Sequence, residues 1–404
     1  MSDTKRYRIV KLCAQHHPFD GRMFHLEAKA LRDAGHQVTI IAPNPGTMPE
    51  RFEEDGIRII TYEKKFRGPL RKAYTLYSLL KLAFAEEADV YHAHEADAAL
   101  FAGAHAKSRR IRKGHDAKLI FDAHEAWPYF YAAAVNNPLL RRLIVHGFLE
   151  YEQYMVTRHV DAVITAHKLE QKYYLWQNPF ISVRTVLTAP EIREKPIARR
   201  GKVRVLGHEG YFTLNRGMDL LLSAFEKLAA EFPELILQTA GDFLNENDRQ
   251  WFDLWADRSG LRDRVILSGW VNRPELPELL DTMDIGVVAL REDEHSSRIW
   301  PANKLMSYAS RGIAPVVCAS MPLAKQEIEE RGMGRVVPFD AQRLYHCIRE
   351  MILDPTATRA MGRQAWKHAR DEWNWERFRV DLLRVYQDLS AQTYRPGKTV
   401  TLQG

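Results

Sequence analysis

The sequence predicts an α/β protein made of two doubly wound parallel-sheet, Rossmann-like domains facing a cleft. Three observations predict it. Short β-rich runs alternate with helical runs along the whole chain, the pattern of βαβ units. A charged stretch with Pro and Gly but no apolar period, Arg193–Lys202, interrupts that alternation and reads as a linker. The 404 residues, 46% hydrophobic, are too many for one typical domain and enough for two buried cores.

In the first half the strand-like runs are Ile9–Ala14, Val38–Ala42, Ile57–Thr61, Val90–His94, Leu119–Ala123, Ala162–Thr165 and Thr185–Thr188, with helical patterns such as Phe24–Ala34 and Ala96–Arg112 between them. The second half repeats the design with Val203–Leu206, Leu235–Thr239, Val265–Leu267, Ile285–Ala289, Ala314–Cys318 and Arg335–Pro338. Over Arg216–Phe232, the residues Leu221, Phe225, Leu228 and Phe232 fall on one helical stripe, which is core spacing. The domain reading is 1–192, a linker at 193–202, 203–372, a C-terminal helix at 373–393 crossing back to the first domain, and a tail at 394–404.

Composition narrows the function. No run of 18 apolar residues occurs, and the N-terminus carries no apolar signal core. Cys13, Cys318 and Cys347 are too few and too scattered for a disulfide framework or a zinc site, and their apolar surroundings predict buried thiols. These features place the protein in a reducing cytoplasm. The net charge of +6 lies wholly in residues 1–195, which hold 29 basic against 23 acidic side chains. That half suits a negatively charged partner, either an anionic membrane surface or a phosphate-bearing acceptor. Residues Lys64–Phe84 mix cations with aromatics and leucines, and read equally as an interfacial helix or as an amphipathic helix with its leucines in the core. No nucleic-acid reader motif is present.

Ligands of doubly wound sheets bind at the carboxyl ends of the strands, so the residues there carry the candidate chemistry. After the first strand, Gln15–His25 opens a helix, and Gly21 lets backbone approach an anion there. The dinucleotide spacing G-x-G-x-x-G is missing, which argues against NAD or FAD. Two strand ends carry histidines, Tyr91–Asp97 and Phe121–Trp127; His94, Glu95, Asp97, His124 and Glu125 are read as cleft residues for hydrogen bonding or acid–base work. His92 and His94 alternate as metal ligands could, but no spacing supplies the rest of a site, so no metal is assigned. In the second half, Gly207–Gly217 is a phosphate cradle with Gly210, Tyr211 and Arg216, the last placed to clamp a diphosphate. Further on, Asn303 is read as the cap of a short helix and Lys304 as a cation in its first turn.

Taken together, these pieces resemble the GT-B glycosyltransferases of the family-four type. The resemblance rests on Pro18–Arg22, Leu31–Pro43, Asn215–Phe225, Leu267–Val271, Asn303–Tyr308 with Gly312 and Pro315–Val317, and Trp373–Glu376. It implies a UDP- or GDP-linked nucleotide sugar bound by the second domain and a glycan or lipid-linked acceptor bound by the first. It also implies retention of anomeric configuration, with no metal or other cofactor, in cell-surface or exopolysaccharide assembly. Arg216 matches the family's phosphate-binding lysine, Gly21 its glycine loop near the diphosphate, and His124 its cleft histidine. Asn303 and Lys304 fall in the loop that meets the donor. The catalytic set is thus His124, Arg216 and Lys304. Two positions depart from the family: Tyr211 replaces an arginine, and Ile299 and Ser307 replace a pair of glutamates, the second of which contacts the donor ribose. Donor recognition is therefore expected to be altered, or Glu292, Asp293 or Glu294 stands in for the missing acid. A nucleotide-sugar epimerase and a non-catalytic nucleotide-sugar-binding subunit are the alternative functions.

Overall fold

The computed structural model describes residues 5–124, 135, 137–289, 300–319 and 322–391. The chain divides into two compact units, one holding the chain up to Thr188 and again from Phe378, the other Ala189–Arg377.

In the first unit, β1 (Arg8–Cys13), β2 (Gln37–Pro43), β3 (Arg51–Glu54), β4 (Ile57–Tyr62), β5 (Val90–His94), β6 (Lys118–Ala123), β7 (Ala162–Thr165) and β8 (Ser182–Thr185) form one sheet in the order β3-β4-β2-β1-β5-β6-β7-β8. Its helices are α1 (Lys29–Asp33), entered through a π-helical turn at Gly21–Ala28, α2 (Gly68–Ala85), α3 (Ala98–Arg112), α4 (Pro138–Arg158) and α5 (Lys168–Gln177). The sheet is parallel apart from β3, which pairs antiparallel with β4. Sequence reading misses β3 because Arg-Phe-Glu-Glu carries no apolar alternation, and as an edge strand it needs none. The apolar run Thr185–Thr188, which the sequence predicts as a strand, lies at and beyond the end of β8. Val186 and Leu187 are wholly buried, and the Val186 amide still donates to the Thr165 carbonyl of β7 at 2.9 Å.

In the second unit, β9 (Val205–Glu209), β10 (Ile236–Ala240), β11 (Val265–Leu267), β12 (Ile285–Ala289), β13 (Ala314–Cys318) and β14 (Arg335–Val337) run parallel in the order β11-β10-β9-β12-β13-β14. The helices are α6 (Met218–Glu231), α7 (Glu246–Ser259), α8 (Leu276–Asp281), α9 (Asn303–Arg311), α10 (Pro322–Ile328), α11 (Ala341–Leu353) and α12 (Pro355–Glu372). The last helix, α13 (Trp375–Ala391), belongs from Phe378 onward to the first unit. The predicted stripe of α6 is buried at Leu221, Phe225 and Leu228.

Each sheet reverses its winding at one place, between β1 and β5 in the first unit and between β9 and β12 in the second. The crevice at the carboxyl ends of those strands is where doubly wound sheets take ligands. Cys13 and Cys318 are buried and Cys347 is half-buried, all as free thiols. Among the described residues no helix is long and apolar enough to cross a membrane.

Candidate active site

At the second switch point β9 ends in Glu209, and the chain turns at Gly210 with φ +90°, a left-handed conformation that glycine adopts without penalty. The turn is packed closely: a Cβ on Gly241 would lie 2.2 Å from the Gly210 carbonyl oxygen. Arg216 closes a 3₁₀ turn, Leu214–Arg216, and Gly217 (φ +74°) separates it from α6. Arg216 is therefore not in the first turn of the long helix, as the sequence predicts, but in a turn before it. From there its guanidinium returns across the loop, with Nη1 3.7 Å from where a Gly210 Cβ would stand. It also lies 5.8 Å over the Tyr211 ring.

Lys304 Nζ reaches the same place from α9, 3.9 Å from that point. The helix does not start as the sequence predicts. Its N-cap is Ala302, which has no side chain to bond the first amides, and Asn303 is the exposed first helical residue. Lys304 is buried, and its ammonium has no hydrogen-bond partner among the described residues. Burial, then the charge of Arg216, pulls the ammonium down to about 7, against the opposing pull of Glu209. An unpaired buried cation beside an uncapped helix start is a strong anion site. One turn along, the Ser307 hydroxyl lies 3.1 Å from Glu209 Oε1 and 3.2 Å from the Asn303 carbonyl oxygen. Glu209 Oε2 has no hydrogen-bond partner among the described residues, and burial pushes this carboxyl up. Tyr308, wholly buried, accepts from the Glu209 amide at 2.8 Å and donates to the Gly207 carbonyl at 3.2 Å. Its ring fits because Gly286 has no side chain; a Cβ there would come within 2.4 Å of it.

At the first switch point a charged network fills the space under the strand ends. Lys11 on β1 is wholly buried, with Nζ 2.6 Å from Glu27 of the π-helical turn and 3.3 Å from His92 Nδ1. Arg22 forks onto Asp122 at 3.1 and 2.8 Å and reaches Glu27 at 3.0 Å. The His92 and His94 rings stack 4.7 Å apart, and Tyr386 of α13 bonds His92 at 2.7 Å. Burial, then the charge of Lys11, drives His92 down to about 3 and His94 well below its ordinary value. Burial would raise the Asp122 carboxyl, but Arg22 and His124 more than reverse it, and it sits well below the usual carboxylate range. His124, nearly buried at 10% side-chain exposure, lies over this layer, 2.8 Å from His94, 3.2 Å from Asp122 and 3.3 Å from Glu95. Glu95 also meets His16 at 2.9 Å and holds a positive φ of 80°, a strained backbone for a side chain of its size.

The predicted cleft residues thus separate into layers. His124 is the outermost, His94 and Glu95 are wholly buried behind it, and Asp97 caps α3 by accepting from the Ala99 amide at 2.9 Å. Gly21 opens the π-helical turn, but the Arg22 and Met23 amides already donate to the Asp20 carboxylate. Among the described residues, two groups of side chains could hold a cation: Glu27, His92, His94 and Asp122, and His16, Glu95 and His124. In the first, Lys11 and Arg22 already supply the positive charge. Glu125, Ile299, Glu292, Asp293 and Glu294 lie outside the described residues. Sequence reading did not single out Lys11, Glu27, Asp122 or Glu209. The available signal was a charged side chain inside an otherwise apolar strand or helix.

Residues 21–180 match Glycosyltransferase Family 4 and residues 191–368 match Glycosyl transferases group 1, together most of the chain. The chain is a GT-B glycosyltransferase of the family-four kind. No curated protein matches the sequence. Among solved structures, this glycosyltransferase is similar to sucrose-phosphate synthase of Thermosynechococcus elongatus, at 16% identity over 96% of this chain and 100% of that one, with TM-score 0.73. It is also similar to Anabaena HepE in complex with UDP-glucose, at 16% identity over 96% and 100% of the two chains and TM-score 0.70. A third likeness is to α,α-trehalose 6-phosphate synthase of Burkholderia multivorans, at 13% identity over 96% and 98% and TM-score 0.65. At such identities the likeness is one of fold.

Proposed function

We propose that this glycosyltransferase moves a hexose-type sugar from a UDP- or GDP-linked donor to a glycan or lipid-linked acceptor in cell-surface or exopolysaccharide assembly. We read the transfer as retaining and metal-independent. The observation that carries the reading is the convergence of Arg216 and the unpartnered Lys304 ammonium on Gly210. As the bond between the anomeric carbon and the diphosphate breaks, negative charge grows on the leaving nucleotide. Two fixed cations and an uncapped helix start stabilise that charge, which is the task a divalent ion performs elsewhere. Gly210, Tyr211, Asn303 and Ser307 complete the donor set of the second unit. His124 orients the sugar or the incoming hydroxyl. His94 and Glu95 act through it, and Asp97 and Glu125 belong to the acceptor side. HepE, a structural neighbour, is known with UDP-glucose bound, which supports a nucleotide-sugar donor.

The test is a panel of UDP and GDP sugars, first by thermal shift and then by turnover with and without EDTA. Transfer to an acceptor with unchanged anomeric configuration and indifference to EDTA is the expected result. Activity lost with EDTA and restored by magnesium or manganese would overturn metal independence, and donor turnover indifferent to acceptor would point to epimerisation. Arg216→Ala removes one charge-assisted contact, about 1.5–3 kcal/mol, so donor affinity or kcat/KM should fall roughly 10- to 150-fold. Unchanged binding and turnover would remove Arg216 from the site.

The acceptor reading includes a membrane. Helix α2 buries Leu79 and Ala83 but exposes Leu70 and Tyr77, next to exposed Phe66, Arg67, Arg71 and Lys72. The C-terminal part is core, and the N-terminal part has the composition of an interfacial anchor. Co-sedimentation with phosphatidylserine vesicles should be strong at low salt, fade as salt rises, and weaken in Phe66→Ser/Leu70→Ser. No binding at low salt would sink the membrane reading.

A further inference from the structure

We propose that Glu209 is the carboxylate that reads the ribose hydroxyls of the bound nucleotide, held in place by Ser307 and set beside the cations that take the diphosphate. The inference rests on the nucleotide-sugar reading and adds a residue and a contact to it. Glu209 is the last residue of β9, the central strand at the switch point. Its backbone is pinned twice, by the β9–β10 ladder, where it faces Ala240, and by its amide donating to the Tyr308 hydroxyl at 2.8 Å. Among the described residues, its Oε1 accepts from Ser307 Oγ at 3.1 Å, while Oε2 is buried with no hydrogen-bond partner. Lys304 is 9% exposed, and its ammonium is likewise without a partner.

The buried Lys304 ammonium and the half-buried Glu209, whose Oε2 is enclosed, therefore share one site, each influencing the other, with no hydrogen bond or ion pair joining them. Leaving both unsatisfied is unfavourable unless a ligand completes them. Such a ligand must offer an anion to Lys304 and a hydroxyl donor to Glu209 a short distance away. A nucleoside diphosphate does both, since one ribose carries the phosphates on C5′ and a vicinal diol on C2′ and C3′. The aromatic pair Tyr211 and Trp270, ring centroids 6.3 Å apart and both exposed, offers a face on which a base can stack. A carboxylate accepts from both hydroxyls of a diol, and a serine alone does not match it, because one hydroxyl cannot supply two anionic acceptors. The acid missing at position 307 of α9 is thus supplied by β9, 98 residues earlier in the chain.

Calorimetry on the full-length protein tests this with UDP against 2′-deoxy-UDP and GDP against 2′-deoxy-GDP, ligands that carry no hexose. Wild type should bind the deoxy form of its preferred nucleotide at least tenfold more weakly, the effect of one charge-assisted bond. Glu209→Gln, which keeps the bond to Ser307, should shrink that discrimination several-fold. Arg216→Ala should weaken both forms alike and leave the ratio intact. Equal binding of the two forms by wild type overturns the proposal, and that arm needs no variant to fold. So does a Glu209→Gln protein that melts like wild type and discriminates as wild type does. If wild type binds neither UDP nor GDP, the nucleotide reading itself falls; if it binds one and only the ratio fails, that reading stands and Glu209 alone is wrong.

Discussion

Replacing Lys304 with methionine is expected to stabilise the second unit by about 1–4 kcal/mol, several degrees in its melting transition, while abolishing nucleotide binding. The two effects have one origin. The ammonium is buried and has no hydrogen-bond partner among the described residues, a burial cost that methionine of similar length does not carry. The groups facing it are Glu209 and His208 on β9 and Arg216 beyond it, and Arg216 adds repulsion to the desolvation. The cost depends on pH with a definite sign. Lys304 titrates at about 7 in the fold instead of at its ordinary 10.5, so between those values the unfolded chain holds a proton that the folded chain has lost. Stability from this group therefore rises with pH across that window and is lowest below 7. The stabilisation by Lys304→Met should accordingly be larger at pH 6 than at pH 9. Donor binding runs the other way. A bound diphosphate restores the proton, so affinity for a nucleotide sugar should hold below pH 7 and fall up to tenfold per pH unit above it, a slope that Lys304→Met removes. Calorimetry across pH 6–9 with UDP-glucose or GDP-mannose, whichever binds, reads both effects. A destabilised Lys304→Met protein that still binds donor would show that the lysine is structural.

The second large effect is expected from Asp122→Ala, with a loss of about 3–5 kcal/mol from the first unit in chemical denaturation. Asp122 is wholly buried and takes the fork of Arg22, while His92, His94 and His124 crowd the same carboxylate at 3.2–3.4 Å. Removing it leaves a buried guanidinium with Glu27 as its remaining carboxylate, which Lys11 already engages. Arg22→Met together with Asp122→Leu should recover part of the loss, because the uncompensated charge goes with its partner. A loss under about 1 kcal/mol in Asp122→Ala would mean that water reaches this layer.

Much of this was legible in the residue order. Alternating β-rich and helical runs and the stripe of α6 need only local spacing. Gly210 followed by Arg216, and Lys304 at a helix start, are also local signals. The acidic partners were not. Ser307 reads as the loss of an acid, and the acids nearest to it in the chain are those at 292–294. The carboxylate that meets it comes from position 209, across the sheet. Lys11 and His92 are 81 residues apart, and Arg22 and Asp122 are 100 apart. Nothing in local periodicity links such positions.

By itself, then, the sequence determined the two parallel sheets and singled out the cations that meet at Gly210, because hydrophobic period and turn chemistry act within a few residues. Tertiary structure alone decided which charges are neutralised. Strand register sets Lys11 beside His92 and His94 beside Asp122, and the crossing of α9 over β9 sets Ser307 against Glu209. Whether a buried charge is paired or left open for a ligand depends on distances of a few ångströms between elements far apart in the chain, and only the packed fold fixes those.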